Sequence, residues 1–171
     1  MENQTQQVVS ATPQTTTYAG FWWRFLAYII DDIIISFVNF IILIPMWAFL
    51  GFSIFKLSEL SFFNDEIPLG AIASLFGLIF FTALISIVVT WLYFALMESS
   101  SKQGTLGKMA LGIKVTDMDG NRISFLRATG RYFGKILSGM IFMIGYIMAG
   151  LTPKKQALHD MLASCLVMKV D

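Results

Sequence analysis

The chain has 171 residues, of which 56% are hydrophobic and only 13% charged. A soluble domain carries about 25% charged side chains, so this composition excludes an ordinary water-soluble domain and points into the bilayer. A net charge of +1 gives no basic field for nucleic acid, and Cys165, the sole cysteine, excludes an internal disulfide.

Residues 1–19 are polar, rich in Gln and Thr, with Glu2 as their only charge, and predict a disordered tail ahead of a membrane domain over 20–170. Residues 21–50 form a first apolar span, bent or ended at Pro45, and 51–68 a loop holding Lys56, Glu59, Asp65 and Glu66. Residues 69–97 are almost uniformly apolar and form the second span, with Trp91 and Tyr93 suited to a membrane interface.

Beyond Glu98 the texture changes. "IKVTDMDGNRIS" alternates around Asp119-Gly120-Asn121 and predicts a small hairpin in which "GIKVTD" pairs with "RIS", with "CLVMK" as a third strand. Ser124 opens a helix that sets Arg127, Arg131 and Lys135 at i, i+4 and i+8, a basic face suited to anionic lipid headgroups. Residues 137–151 are apolar but short for a crossing. They form either a third span or a re-entrant helical hairpin hinged at one of Gly139, Gly145 or Gly150; the hairpin is preferred because a crossing would export Lys154 and Lys155.

Lys and Arg set the orientation. The 51–68 loop has one, Lys56, whereas 98–135 has seven, so the N-terminus and the 98–135 segment are expected in the cytoplasm of a multi-pass protein. The expected fold class is an all-α polytopic membrane protein with two full transmembrane helices, a third span or re-entrant hairpin, and a small cytoplasmic β element.

The first span carries Arg24, Asp31 and Asp32. Two ionised, unpaired aspartates at mid-bilayer would cost roughly 5–7 kcal/mol, so something must justify them. If the hydrocarbon begins near Phe21, they lie about 15 Å deep. Arg24 and Asp31 share one helical face; Asp32, Ser36 and Asn39 form a second polar stripe. One reading is a proton or cation site, with Ser36 and Asn39 completing a shell for a small hard cation. The other is a structural clamp, an aspartate bonded to a basic side chain of the cytoplasmic half while Arg24 snorkels to the surface. His159, the only histidine, precedes Asp160 without clustered ligands, so no metal site is expected. No nucleophile–base motif or phosphate loop occurs, and neither catalysis nor a cofactor is expected.

Three blocks together resemble the RDD family of small bacterial membrane proteins, named for an arginine followed by two aspartates in the first span. "GFWWRFLAYIIDD" supplies Arg24, Asp31 and Asp32. "GTLGKMALGIKVTDMDGNRISFLRATGRYFGKIL" is similar to the family's "TPGKxxLGLxVVDxxGxxxSxxxAxxR", with Thr105-Leu106 where Thr-Pro is common. "KKQALHDMLASCLV" matches the ending "RQALHDxxAgTxVV". The resemblance implies a bacterial cytoplasmic-membrane protein and, from proposals for some members, cation–proton exchange with Na+ as a candidate ion. Arg24, Asp31 and Asp32 would then be the site and His159 and Asp160 a secondary pair. So few spans cannot enclose a pathway alone, so a homo-oligomer is expected. The runner-up is a non-transporting accessory protein that holds a partner or lipid.

Overall fold

A computed structural model describes residues 17–63, 69–141 and 143–170. It is mostly helical, and its two longest helices lie antiparallel. Helix α1 runs Phe21–Phe63 and α2 runs Leu69–Glu98. Both contain stretches long and apolar enough to cross a membrane, over Phe21–Glu59 and Ile72–Glu98. The antiparallel register is fixed by two contacts, Tyr93 with Asp31 and Thr82 with Met46.

The expected loop over 51–68 is a correction. Helix α1 continues through Pro45 and on to Phe63, and Lys56 pairs with Glu59 one turn on. "GFSIFKLSELSFF" has only one helix breaker, Gly51, so nothing in it stops a helix already propagating. Residues 64–68 lie outside the described residues.

At the Glu98 end of α2 the chain builds a compact platform. It comprises α3 (Leu106–Ala110), β1 (Ile113–Asp117), α4 (Phe125–Met140), α5 (Ile144–Leu151), α6 (Leu158–Leu162) and β2 (Cys165–Lys169). Strand β1 pairs antiparallel with β2, Val115 opposite Val167. The expected β1–"RIS" hairpin does not form. The Asp117 carboxylate accepts the amides of Asp119 and Asn121 and closes a tight turn, with Gly120 at a positive φ of 85°. Only Arg122 and Ile123 then remain before Ser124, whose hydroxyl caps α4 by accepting the Arg127 amide, too few residues for a strand. "CLVMK" takes the edge instead. The other edge of β2 is covered by the end of the expected tail: Ala19 donates to the Val167 carbonyl, and Lys169 to that of Thr17. Residues 1–16 of that tail lie outside the described residues.

The buried core gathers at this end of the molecule. Ala19 and Ala27 meet Ala95, Ile113, Val115, Ile123, Ala128, Cys165 and Val167. Helices α4 and α5 are bent by 104°. The break falls after Met140, with Met143 in the left-handed region, and not at any of the three glycines expected as hinges. Gly145 serves close packing instead, since a Cβ there would sit 2.7 Å from the Ser138 Cβ. Beyond α5 the chain returns to the start of α1, where Gly150 lies beside Phe21 and the Lys155 carbonyl accepts from Arg24.

Candidate functional site

Helix α1 presents Arg24 and Asp31 two turns apart on one face, and both meet the platform. The Arg24 Nε donates to the Ala19 carbonyl at 2.8 Å, one terminal nitrogen to the Lys155 carbonyl at 2.5 Å, and the other pairs with Asp160. Asp160 is fully buried at the start of α6. It also accepts the Ala157 amide at 3.0 Å and the Arg131 guanidinium at 2.7–2.8 Å. Arg131 reaches the other way to Glu98 at 2.6 Å. Glu98 in turn takes Lys108 at 2.5 Å and, more loosely, Lys135 at 3.5 Å. Lys135 rests its ammonium over the Phe94 ring, 4.0 Å from the centroid. A single chain of charges therefore ties α1, α6, α4, α2 and α3 together.

Four cations share two carboxylates in this chain, and most of them are buried. Burial is costly for each charge unless it is paired. At Lys108, burial outweighs the pull of Glu98, with Arg131 and Lys135 adding repulsion, and the ammonium's pKa falls to about 7. Asp160 is held well below the usual carboxylate range; burial opposes this, but Arg131 and Arg24 prevail. Burial pushes His159 down to about 3, against the attraction of Asp160, so it is a neutral ring at pH 7. Its Nδ1 lies 3.3 Å from the Ser138 hydroxyl, and its ring packs on Tyr146. Among the described residues no group of His, Cys, Asp and Glu is arranged to hold a metal.

Asp31 has a separate role. Its carboxylate accepts the Tyr93 hydroxyl and the Gly107 amide, both at 2.7 Å, and the Thr105 hydroxyl at 2.5 Å. It is a cap supplied from another helix, holding the first turn of α3 against α1. Only glycine fits at 107, because an added Cβ would run into the Ala27 carbonyl oxygen. The expected clamp is corrected in both halves: Asp31 is bonded by neutral donors and not by a basic side chain, and Arg24 does not snorkel to the surface but joins Arg131 on Asp160.

The structure separates the remaining expected site residues. Asp32 and Ser36 are exposed along α1, and among the described residues Asp32 has no hydrogen-bond or ion-pair partner. Asn39 is half-buried, with an Oδ1 that finds no donor among the described residues. The basic face of α4 is also divided. Arg131 is buried between Glu98 and Asp160 and Lys135 is largely covered, so of the three only Arg127 stands exposed for a headgroup. Sequence reasoning leaves out Glu98, Lys108, Tyr93, Thr105 and Gly107. The available signal was Glu98 itself, a lone carboxylate ending a 30-residue apolar helix.

The RDD family model matches residues 18–164, which include both charge sets. The chain belongs to the RDD family. It is 43% identical over 152 residues to the "Uncharacterized protein YxaI" of Bacillus subtilis (strain 168), covering 87% of this chain and 95% of that one. It is 31% identical over 161 residues to the "Uncharacterized membrane protein YteJ" of the same organism, covering 90% and 82%. No solved structure matches it. This family member is a membrane protein whose apolar helices contact lipid, and Arg24, which opens the family signature, is bonded to Asp160 in its closing block.

Proposed function

We propose that this RDD protein is a non-catalytic, non-transporting accessory protein of the bacterial cytoplasmic membrane, with its N-terminus and platform on the cytoplasmic side. It presents the platform at the membrane face to hold a partner or lipid. One observation carries this reading: Arg24 and Asp31 each make three hydrogen bonds inside the chain, clamping the platform to α1. A carboxylate fixed by three donors, and a guanidinium shared between an aspartate and two carbonyls, are poor groups for exchanging a proton or ion during turnover. The Lys/Arg excess beyond Glu98 supports the orientation.

A second reading rests on Asp32. It is an exposed carboxylate on an apolar helix with no hydrogen-bond or ion-pair partner among the described residues, and cation–proton exchange, with Na+ as the ion, would use it at an interface between copies. Proteoliposomes containing only the purified protein separate the two readings. The accessory reading expects no Na+-dependent proton flux, and loss of a copurifying partner or lipid in Asp31→Asn. A wild-type flux that Asp32→Asn abolishes, with the folded yield unchanged, would replace it with the exchanger.

A further inference from the structure

Helix α4 meets α2 in two stripes. Phe125, Thr129 and Phe133, spaced four residues apart along α4, all contact Trp91. Arg131 and Lys135, also four apart, both contact Glu98, two turns further along α2. A stripe that follows the α4 axis thus maps onto a single level of α2. Contacts from one level of α2 that span eight residues of α4 point to α4 running across α2 rather than alongside it, with Phe94 between the two levels meeting Tyr132 and Lys135. If α2 crosses the bilayer, α4 lies in its plane. Its basic face then points away from the membrane centre, and its Trp91 face, continued by the exposed Leu126, Ile136 and Met140, points toward it.

The depth of this plane follows from the backbone beside Asp31. Thr105 and α3, which follow the bends and turns over 99–104, pack at the level of Ala27 and Asp31, and the two-stranded sheet sits beside Ala19. Lipid-exposed loops and sheet edges do not occur within hydrocarbon, so the first three turns of α1 must lie in the interfacial layer. Their side chains suit it: Trp22, Trp23 and Tyr28 are exposed, and the Lys169 ammonium lies over the Trp23 ring. The lengths agree. Asp32 to Lys56 spans about 36 Å of helix and Leu69 to Trp91 about 33 Å, each close to a hydrocarbon core of ~30 Å.

We infer that α4 and α5 form a monotopic element seated in one leaflet, with phospholipid covering their exposed apolar face, and that the hydrocarbon core begins just beyond Asp32. The chain therefore crosses the bilayer twice. Asp31 and Asp32 stand at its boundary and not at its centre, which removes most of their insertion cost. Both placements hold whether or not the protein moves ions.

Spin labels on single cysteines in a Cys165→Ala background, reconstituted in phospholipid vesicles, measure the depths directly from accessibility to oxygen and to a water-soluble nickel chelate. Leu126, Met140 and Leu151, each at least three-quarters exposed, should all read no deeper than ~10 Å. Phe40 should read deepest and Asp32 near the boundary. A depth that increases from Leu126 until Met140 matches Phe40, or a Leu151 label at the opposite surface, would overturn the monotopic assignment. Asp32 as deep as Phe40 would overturn the boundary. Labels shielded from both reagents in proportion to protein density would assign the face to a second copy in place of lipid. An impermeant thiol reagent gives an independent readout: Cys at Arg127 and at Lys154 should react from the same side, and reaction from opposite sides refutes the proposal.

Discussion

The two ends of the molecule are built on opposite principles. At the platform end, carboxylates, guanidiniums and small residues are buried together, and nearly every polar group has a partner within the chain. Through the apolar windows of α1 and α2, only 11% and 0% of residues are buried, and the helices meet through a few contacts such as Thr82 with Met46. The platform is therefore held by its own interior and the hairpin by what surrounds it. Substitutions should weigh very differently at the two ends.

The largest expected difference is at Arg131. Arg131→Ala leaves Glu98 and Asp160 buried with fewer counter-charges, and breaking such a pair costs about 3–5 kcal/mol. Ile79→Ala on the open face of α2, where the side chain is half-exposed, should change stability by no more than ~0.5 kcal/mol. Thermal unfolding of both variants in one detergent checks the contrast, and equal losses would mean that the charge chain does not hold the platform.

Next come the glycines. Gly107→Ala drives a methyl into the Ala27 carbonyl and the Asp31 carboxylate, an overpacking that costs about 1–3 kcal/mol or more and should release α3. Gly51→Ala and Gly77→Ala meet nothing within 4 Å and gain helix propensity, so they should be neutral or stabilise by about 0.5–1 kcal/mol. Protease sensitivity around residues 99–112 reads the release of α3 separately from global melting.

The paired aspartates give a smaller, sharper contrast. Asp31→Asn turns an acceptor of three donors into a group that faces one of them with its own N–H, a loss of about 1–3 kcal/mol. Asp32→Asn removes no bond among the described residues and should stay within ~0.5 kcal/mol. Folded yield by size-exclusion chromatography distinguishes them, and equal losses would bring Asp32 into the clamp.

This asymmetry explains what could be read from the residues in advance. Apolar run length alone finds α1 and α2, though not the extension of α1 to Phe63, and charge within an apolar run draws the eye to Arg24 and Asp31 without separating them from Asp32, Ser36 and Asn39. Local pattern fails where a distant segment competes. Strand β1 pairs with β2, fifty residues on, because the Asp117 turn consumes the residues its nearer partner would need. The same limit hides Lys108 and Glu98, ten residues apart and bonded only because the chain folds back after α2. Amphipathic spacing correctly puts Arg131 and Lys135 on one face, but it cannot tell whether that face meets headgroups or two buried carboxylates.

The smallest expected effect tests the charge imbalance itself. With four cations sharing two carboxylates, Lys108 is the one the cluster least requires, since Glu98 keeps Arg131 and Lys135 without it. Its pKa falls from an ordinary 10.5 to about 7 on folding. Between those values the unfolded chain holds a proton that the folded one has released, so stability rises with pH; below pH 7 both states are protonated and the cost is constant. Wild type should thus melt at a higher temperature at pH 9 than at pH 7. Above pH 9 the buried Cys165 thiol, raised to about 11, works in the opposite direction, so the window closes there. Lys108→Met keeps the stem's packing and removes the surplus charge. It should reduce the pH 7–9 slope, leaving the part that Lys135, lowered by burial in the same cluster, contributes, and it should be no less stable than wild type at pH 7, as replacing a buried ion by an apolar side chain is commonly neutral or stabilising. A loss as large as that of Arg131→Ala, with the slope intact, would show that Lys108 is an indispensable counter-ion and that the cluster's excess charge is neutralised elsewhere.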